Sequence, residues 1–242
     1  MARLPNLALT LLTPCLLAAQ GRVLDNNFHG WFTYFGDHPI ASSKWGVHLE
    51  GQFRRHDFVT QWQQLLLRPG VNYQLNKTVM LTAGYAFVRS SVYSEYAAPA
   101  PVSLEHRLWE QAWFKYRSGR TNWSTRLRFE NRFVGTPDPV TRKNSYRYEN
   151  RLRAMQQIRV PIAAKTCFTA YDEFWVYVKP YQSNSWFDQN RAYAALGFDL
   201  KPSLRFEVGY MNQAILVRSG SRLESNHTIV LSLFSTAPFF RH

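Results

Sequence analysis

Between Trp123 and Phe133 the chain alternates, with Arg126, Arg128, Glu130 and Arg132 on one side of an extended strand and Leu127, Phe129 and Phe133 on the other. The same period of two recurs along the chain. It predicts strands over residues 28–35, 44–54, 63–75, 78–88, 104–117, 121–134, 145–158, 166–178, 187–199, 203–213 and 226–236. Most of these are long enough for a tilted strand to cross a bilayer. In a soluble sandwich the apolar face fills a core and the charged face meets water. A membrane barrel reverses this, with apolar residues in lipid and charges in the lumen. Arginines and glutamates placed through the strand middles favour the reversed arrangement.

Following the pleat, the lumen face of the second strand carries His48, Glu50, Gln52 and Arg54, and that of the third carries Arg68 and Asn72. Further round come Glu105, Arg107 and Gln111, then Arg126, Arg128, Glu130 and Arg132, then Arg147, Glu149, Arg151 and Arg153. Glu173, Gln189, Arg191, Arg205, Glu207 and Gln213 complete the ring. Leu65, Leu67, Val71, Leu127, Phe129, Leu152, Leu204, Phe206, Val208 and Tyr210 face outward. With this phase Glu110 and Asp172 also point to lipid, where a carboxylate is costly.

Connections alternate in length. Asn76-Lys77, Ser118-Gly119, Pro161 to Lys165 and Lys201-Pro202 are brief, whereas 55–62, 89–103, 135–144, 179–186 and 214–225 are long. That is the expected asymmetry of an outer-membrane barrel, short turns in the periplasm and long loops outside. Trp45, Tyr73, Trp113, Phe114, Tyr116, Trp123 and Phe198 lie near the short turns and are expected to form a periplasmic girdle. The last strand descends to the same rim, which puts the C-terminus, with Phe239 and Phe240, in the periplasm. The reading is an all-β antiparallel transmembrane barrel of about 10 to 12 strands, with 12 favoured because bacterial single-chain barrels have even counts.

Composition narrows the class. The chain has 242 residues, 45% of them hydrophobic, and a mean hydropathy of -0.34, which fits neither disorder nor a helical membrane bundle. Arg3, the apolar stretch Leu7 to Leu17 and the small residues after it read as an export signal over residues 1–20, leaving 21–242 for the barrel. Cys167 is then the only cysteine of the exported chain, which excludes an internal disulfide and a cysteine-based zinc site. The 29 basic residues outnumber 16 acidic ones, yet the arginines alternate with apolar residues instead of running together, so nucleic acid is not an expected partner.

Two chemistries suit such a lumen. A carboxylate-guanidinium network can fill a narrow interior and serve structure alone, or its arginine surplus can line a constricted pore that favours anions. An enzyme acting on lipids at the outer rim would need a serine, a histidine and a carboxylate brought together. His106 beside Glu105 and Glu110, His227 beside Asn226, and Ser90, Ser91 and Ser225 supply the residue types without a specifying spacing. Asp188 and Asn190 could offer oxygens to a calcium ion, but the spacing lacks a recognised cation loop.

The strings LLLRPGVNYQLN (65–76), AGYAFV (83–88), EHRLWEQ (105–111), RLRFENRF (126–133), YDEFW (171–175), FDQNRAYAALG (187–197) and FEVGYMNQ (206–213) occur in this order. Together they resemble the bacterial family known as domain of unknown function 2490, across about residues 28 to 236. The resemblance implies an outer-membrane β-barrel and no particular activity. It singles out Glu105, Arg107, Gln111, Asp188, Gln189, Asn190, Arg191, Asn212 and Gln213 for testing. The expectation is therefore a narrow arginine-lined pore or structural envelope component without catalytic residues, cofactor or metal. Its expected partners are outer-membrane lipids, the barrel-assembly machinery and small anionic solutes. The alternatives are a rim-acting lipid hydrolase or acyltransferase, and a secreted soluble β-sandwich that binds an anionic ligand.

Overall fold

The computed structural model describes residues 22–96, 100–179 and 185–239. The export signal expected over residues 1–20 and Phe240 lie outside them. The described chain forms strands and turns only: β1 (Val23–Pro39), β2 (Trp45–His56), β3 (Gln61–Gln74), β4 (Val79–Ser90), β5 (Ser103–Ser118) and β6 (Thr121–Pro137), followed by β7 (Asn144–Ala163), β8 (Thr166–Tyr177), β9 (Phe187–Lys201), β10 (Leu204–Leu216) and β11 (Arg222–Ser235). Each strand pairs with its sequence neighbours, and β1 pairs with β11 to close the barrel.

Eleven strands among the described residues fall within the expected range but one short of the even count favoured by the sequence. An odd count means that first and last strands run the same way, so the closing ladder, from Val23 opposite Arg222 to Gly36 opposite Ser235, is parallel. All other pairings are antiparallel. The first strand is also much longer than the sequence pattern indicates. Its apolar residues occupy both faces, Phe28 and Phe32 outside and Trp31 inside, which blurs the alternation beyond residues 28–35.

Turns sort by rim. One rim carries connections 40–44, 75–78, 119–120, 164–165 and 202–203, and the other carries 57–60, 91–102, 138–143, 178–186 and 217–221. Short turns have local causes. Gly119 takes the left-handed conformation a two-residue hairpin requires, and the Asn76 side chain accepts the backbone amides of Thr78 and Val79 at 2.9 Å each.

The exterior is apolar. Leu67, Val71, Leu127, Leu152, Val208 and Tyr210 are exposed, while their strand neighbours Arg68, Asn72, Arg128, Arg151 and Glu207 are buried. Trp45 packs on Tyr73, with ring centroids 4.8 Å apart, and Tyr116 on Trp123 at 6.0 Å, in a belt above the short turns. Trp113 does not join that belt. Strand β5 buries Glu105, Arg107, Trp109 and Gln111, so Trp113 shares the inner face, and the Arg126 guanidinium lies 5.2 Å from its ring. A second outward aromatic belt, including Phe53, Trp62, Phe133, Tyr146 and Tyr148, circles the long-loop rim.

The lipid-facing character of Leu127 has a measurable consequence. Leu127→Arg lowers unfolding free energy in bilayers by about 2–4 kcal/mol, measured by denaturant titration of the reconstituted barrel. A change below about 1 kcal/mol would mean that this face does not meet the hydrocarbon.

Candidate functional site

The inner face of β6 holds the centre of the site. Glu130 is fully buried and receives arginines from three other strands. Arg151 and Arg153 of β7 approach at 2.6 and 2.8 Å, Arg68 of β3 at 3.4 Å and Arg107 of β5 at 3.7 Å. Glu173 of β8 takes Arg126 at 2.6 Å and Arg153 at 2.8 Å, and Glu50 of β2 takes Arg68 at 2.7 Å. Because Arg68 and Arg153 each serve two carboxylates, the pairs join into one plate across the waist. A buried carboxylate without such partners would bear a large desolvation penalty, which explains why the guanidinium forks crowd around so few acids.

Three tryptophans fill the space between the charges. Arg153, Arg151 and Arg191 lie 3.7, 4.2 and 4.2 Å from the Trp175 ring centroid, Arg54 lies 3.9 Å from Trp31, and Arg128 lies 4.8 Å from Trp109. Guanidinium planes stack well on indole faces and keep their edges free for hydrogen bonds. Trp109 has room because Gly70 and Gly84 sit opposite each other beneath it, and a Cβ at either would come within 3.0 Å of the indole. Sequence reasoning missed all three tryptophans, since an apolar residue on a polar face reads as a phase error.

Of the lumen residues expected from the pleat, the structure buries His48, Glu50, Arg54, Arg68, Glu105, Arg107, Gln111, Arg126, Arg128, Glu130, Arg132, Glu149, Arg151, Arg153, Glu173, Gln189, Arg191, Glu207 and Gln213. Arg147 and Arg205 are half-buried near opposite rims, Arg147 at 3.7 Å from Glu149 and Arg205 at 2.8 Å from Glu207. Other interior acids escaped notice. Asp37 holds His48 at 2.7 Å, and Asp25 and Glu224 flank Arg222 at 3.6 and 3.1 Å, all on the two strands of the parallel seam or beside it. Asp188 turns inward through a bulge in β9, where Phe187 opposes Val176 and Gln189 opposes Trp175, and it meets Arg151 at 2.7 Å. Asn190 instead donates outward to the Asp172 carboxylate at 3.0 Å, so the two candidate calcium ligands face opposite sides of the wall. Asp172 and Glu110 do point outward, Glu110 into a shallow apolar groove over Ala83 and Ala112.

Toward the long-loop rim paired side chains narrow the interior. Glu105 clasps Arg107 and Arg132 at 2.7 and 2.6 Å, and Glu149 accepts from Arg218 of the last loop. Residues 91–94 fold into the mouth, where Ser94 donates to Asp25 at 2.6 Å and the Tyr93 hydroxyl donates to Glu224 at 2.6 Å. Burial, with the Glu224 charge beside it, raises the Tyr93 pKa and keeps that hydroxyl a donor. Tyr93 also covers His29, with ring centroids 5.1 Å apart. Toward the short-turn rim the interior opens into a cavity of about 390 Å³.

Among the described residues the rim histidines His106 and His227 contact tyrosines, with no serine or carboxylate hydrogen-bonded to either ring. His106 lies between the hydroxyls of Tyr85 and Tyr146, at 2.5 and 3.3 Å, and His227 contacts the Tyr210 hydroxyl at 2.6 Å. Ser90 accepts from Gln64 at 2.8 Å and Ser225 from Asn212 at 3.2 Å, and neither hydroxyl is hydrogen-bonded to an imidazole.

A closed barrel with this inverted polarity agrees with comparison to known proteins. The family model described as a protein of unknown function, DUF2490, matches residues 28–224. The chain belongs to DUF2490. An uncharacterized protein of Methylorubrum extorquens is 25% identical over 188 residues, covering 76% of this chain and 78% of that protein. Among solved structures, the NanC porin superposes with a TM-score of 0.51 at 12% identity, over 86% of this chain and 98% of the porin. The DUF2490 chain therefore shares the fold of a porin barrel, with a waist filled by its own side chains.

The Glu130 plate is testable by stability. Removing the hub in Glu130→Ala leaves buried guanidinium groups without their shared anion and lowers unfolding free energy by about 3–5 kcal/mol. Denaturant unfolding followed on heat-modifiable gels checks this, and a loss below about 1 kcal/mol would show that the plate contributes little.

Proposed function

We propose that this protein is a non-enzymatic outer-membrane barrel, whose arginine-lined interior forms a narrow passage of low conductance that favours anions. The observation that supports it is a surplus of interior positive charge. Arg54 is held by Gln52 and Gln64 and by the face of Trp31, Arg191 lies over the rings of Trp31 and Trp175, and Arg128 is held by Gln111 at 2.6 and 2.9 Å with Glu50 no nearer than 3.9 Å. Amides and aromatic faces stand where counter-carboxylates would neutralise these cations. A narrow channel in a low-dielectric wall concentrates such a field and draws anions toward it.

In this reading residues 1–20 direct export, the short-turn rim and C-terminus face the periplasm, and the long loops face outward. Outer-membrane lipids surround the apolar exterior, and the barrel-assembly machinery handles the terminal strand. The filled waist keeps conductance well below that of an open porin.

Planar bilayers containing the refolded protein are expected to show small unitary currents whose reversal potential in a salt gradient indicates anion preference. Arg128→Glu and Arg151→Glu weaken that preference, and raising ionic strength does the same by screening. Absence of current from protein that migrates as folded would leave the barrel as a structural envelope component. Lipid A and phospholipid profiles are expected to stay unchanged on overproduction, and an altered profile would point instead to a lipid enzyme at the rim.

A further inference from the structure

The cavity at the short-turn rim is amphipathic, which an interior serving only as a charged filter does not require. One wall, from β6 and β7, presents Arg126, Arg128 and Arg159. The opposite wall, from β1 and β9 to β11, presents Trp31, Tyr193 and Met211, part of an apolar cluster that lies inside the barrel, beside Arg191 and the paired Arg205 and Glu207. Tyr171 extends that wall, stacked on Tyr193 at a centroid separation of 4.6 Å.

The cationic wall has unmet donors. Arg126 is buried, and its Nε finds no partner among the described residues. Arg159 is half-buried and makes no ion pair or hydrogen bond to a described residue. Guanidinium groups in this state call for an acceptor with at least two lone-pair oxygens, and the facing aromatic surface calls for an apolar body. We propose that this cavity is a binding site for a compact organic carboxylate with an aromatic or alicyclic body, its carboxylate on Arg126 and Arg159 and its ring against Tyr193 and Met211. The site builds on the arginine-lined interior proposed above but does not require conduction. Its volume of about 390 Å³ lies within the ordinary range of small-molecule pockets.

Isothermal titration of the full barrel in lipid nanodiscs, against empty nanodiscs, tests this with 2-naphthoate as probe. Both 2-naphthamide, which lacks the charge, and acetate, which lacks the ring, are expected to bind at least about tenfold more weakly. Arg126→Gln weakens 2-naphthoate about tenfold. Arg159→Gln, which breaks no bond within the described structure, weakens it severalfold and carries the test should Arg126→Gln fail to fold on heat-modifiable gels. No binding above empty nanodiscs, equal binding of naphthoate and naphthamide, or full affinity in Arg159→Gln would overturn the site. Currents from the same preparation separate the two ideas: binding without current keeps the site and removes the pore, and current without binding does the reverse.

Discussion

The interior depends on a fully buried carboxylate. Glu130 stands within ion-pair reach of Arg68, Arg107, Arg151 and Arg153, so strands β3, β5, β6 and β7 meet at one anion. Desolvating five charged groups is costly, and the attraction offsets that cost only when the geometry is shared and the remaining donors are met. Glu50 and Glu173 meet part of that demand by binding Arg68 and Arg153 a second time. Indole faces shield the rest. The plate thus resembles the core of a soluble protein in packing while being built from charge.

That plate divides the interior unequally. Above it, the Glu105 and Glu149 clusters and the inserted Tyr93 and Ser94 narrow the long-loop end. Below it, the wall passes from arginine to tyrosine and methionine and leaves room for a small molecule. The asymmetry follows from which strands meet where. Polar partners of the ladder lie on β2, β3 and β5 to β8, whereas β9 to β11 and β1 add aromatic and aliphatic residues to their inner faces near the short turns.

The parallel seam has its own chemistry. Thr33 of β1 donates to Ser232 of β11 at 2.7 Å, and Arg222 at the start of β11 lies near Asp25 of β1. Such side-chain links reinforce a ladder whose slanted backbone hydrogen bonds are slightly weaker per residue than antiparallel ones. They also place acids at the long-loop mouth, where Tyr93 and Ser94 find their acceptors.

Much of this protein was legible in the chain itself. Period-two alternation places Arg126 to Arg132 on one face and Leu127 and Phe129 on the other, because successive side chains of a strand must point to opposite sides. Recurrence of that pattern and the rhythm of turns then set the strands, their phase and the rims. What only the folded barrel decided is how distant strands meet. No local rule pairs Glu130 with Arg68, turns Asp188 inward through a bulge, seats Trp109 over two facing glycines, or closes the barrel on an odd strand. Side-chain direction is a property of a few consecutive residues, whereas charge pairing, cavity shape and closure arise across the lumen, between residues whose separation in sequence carries no information about their distance.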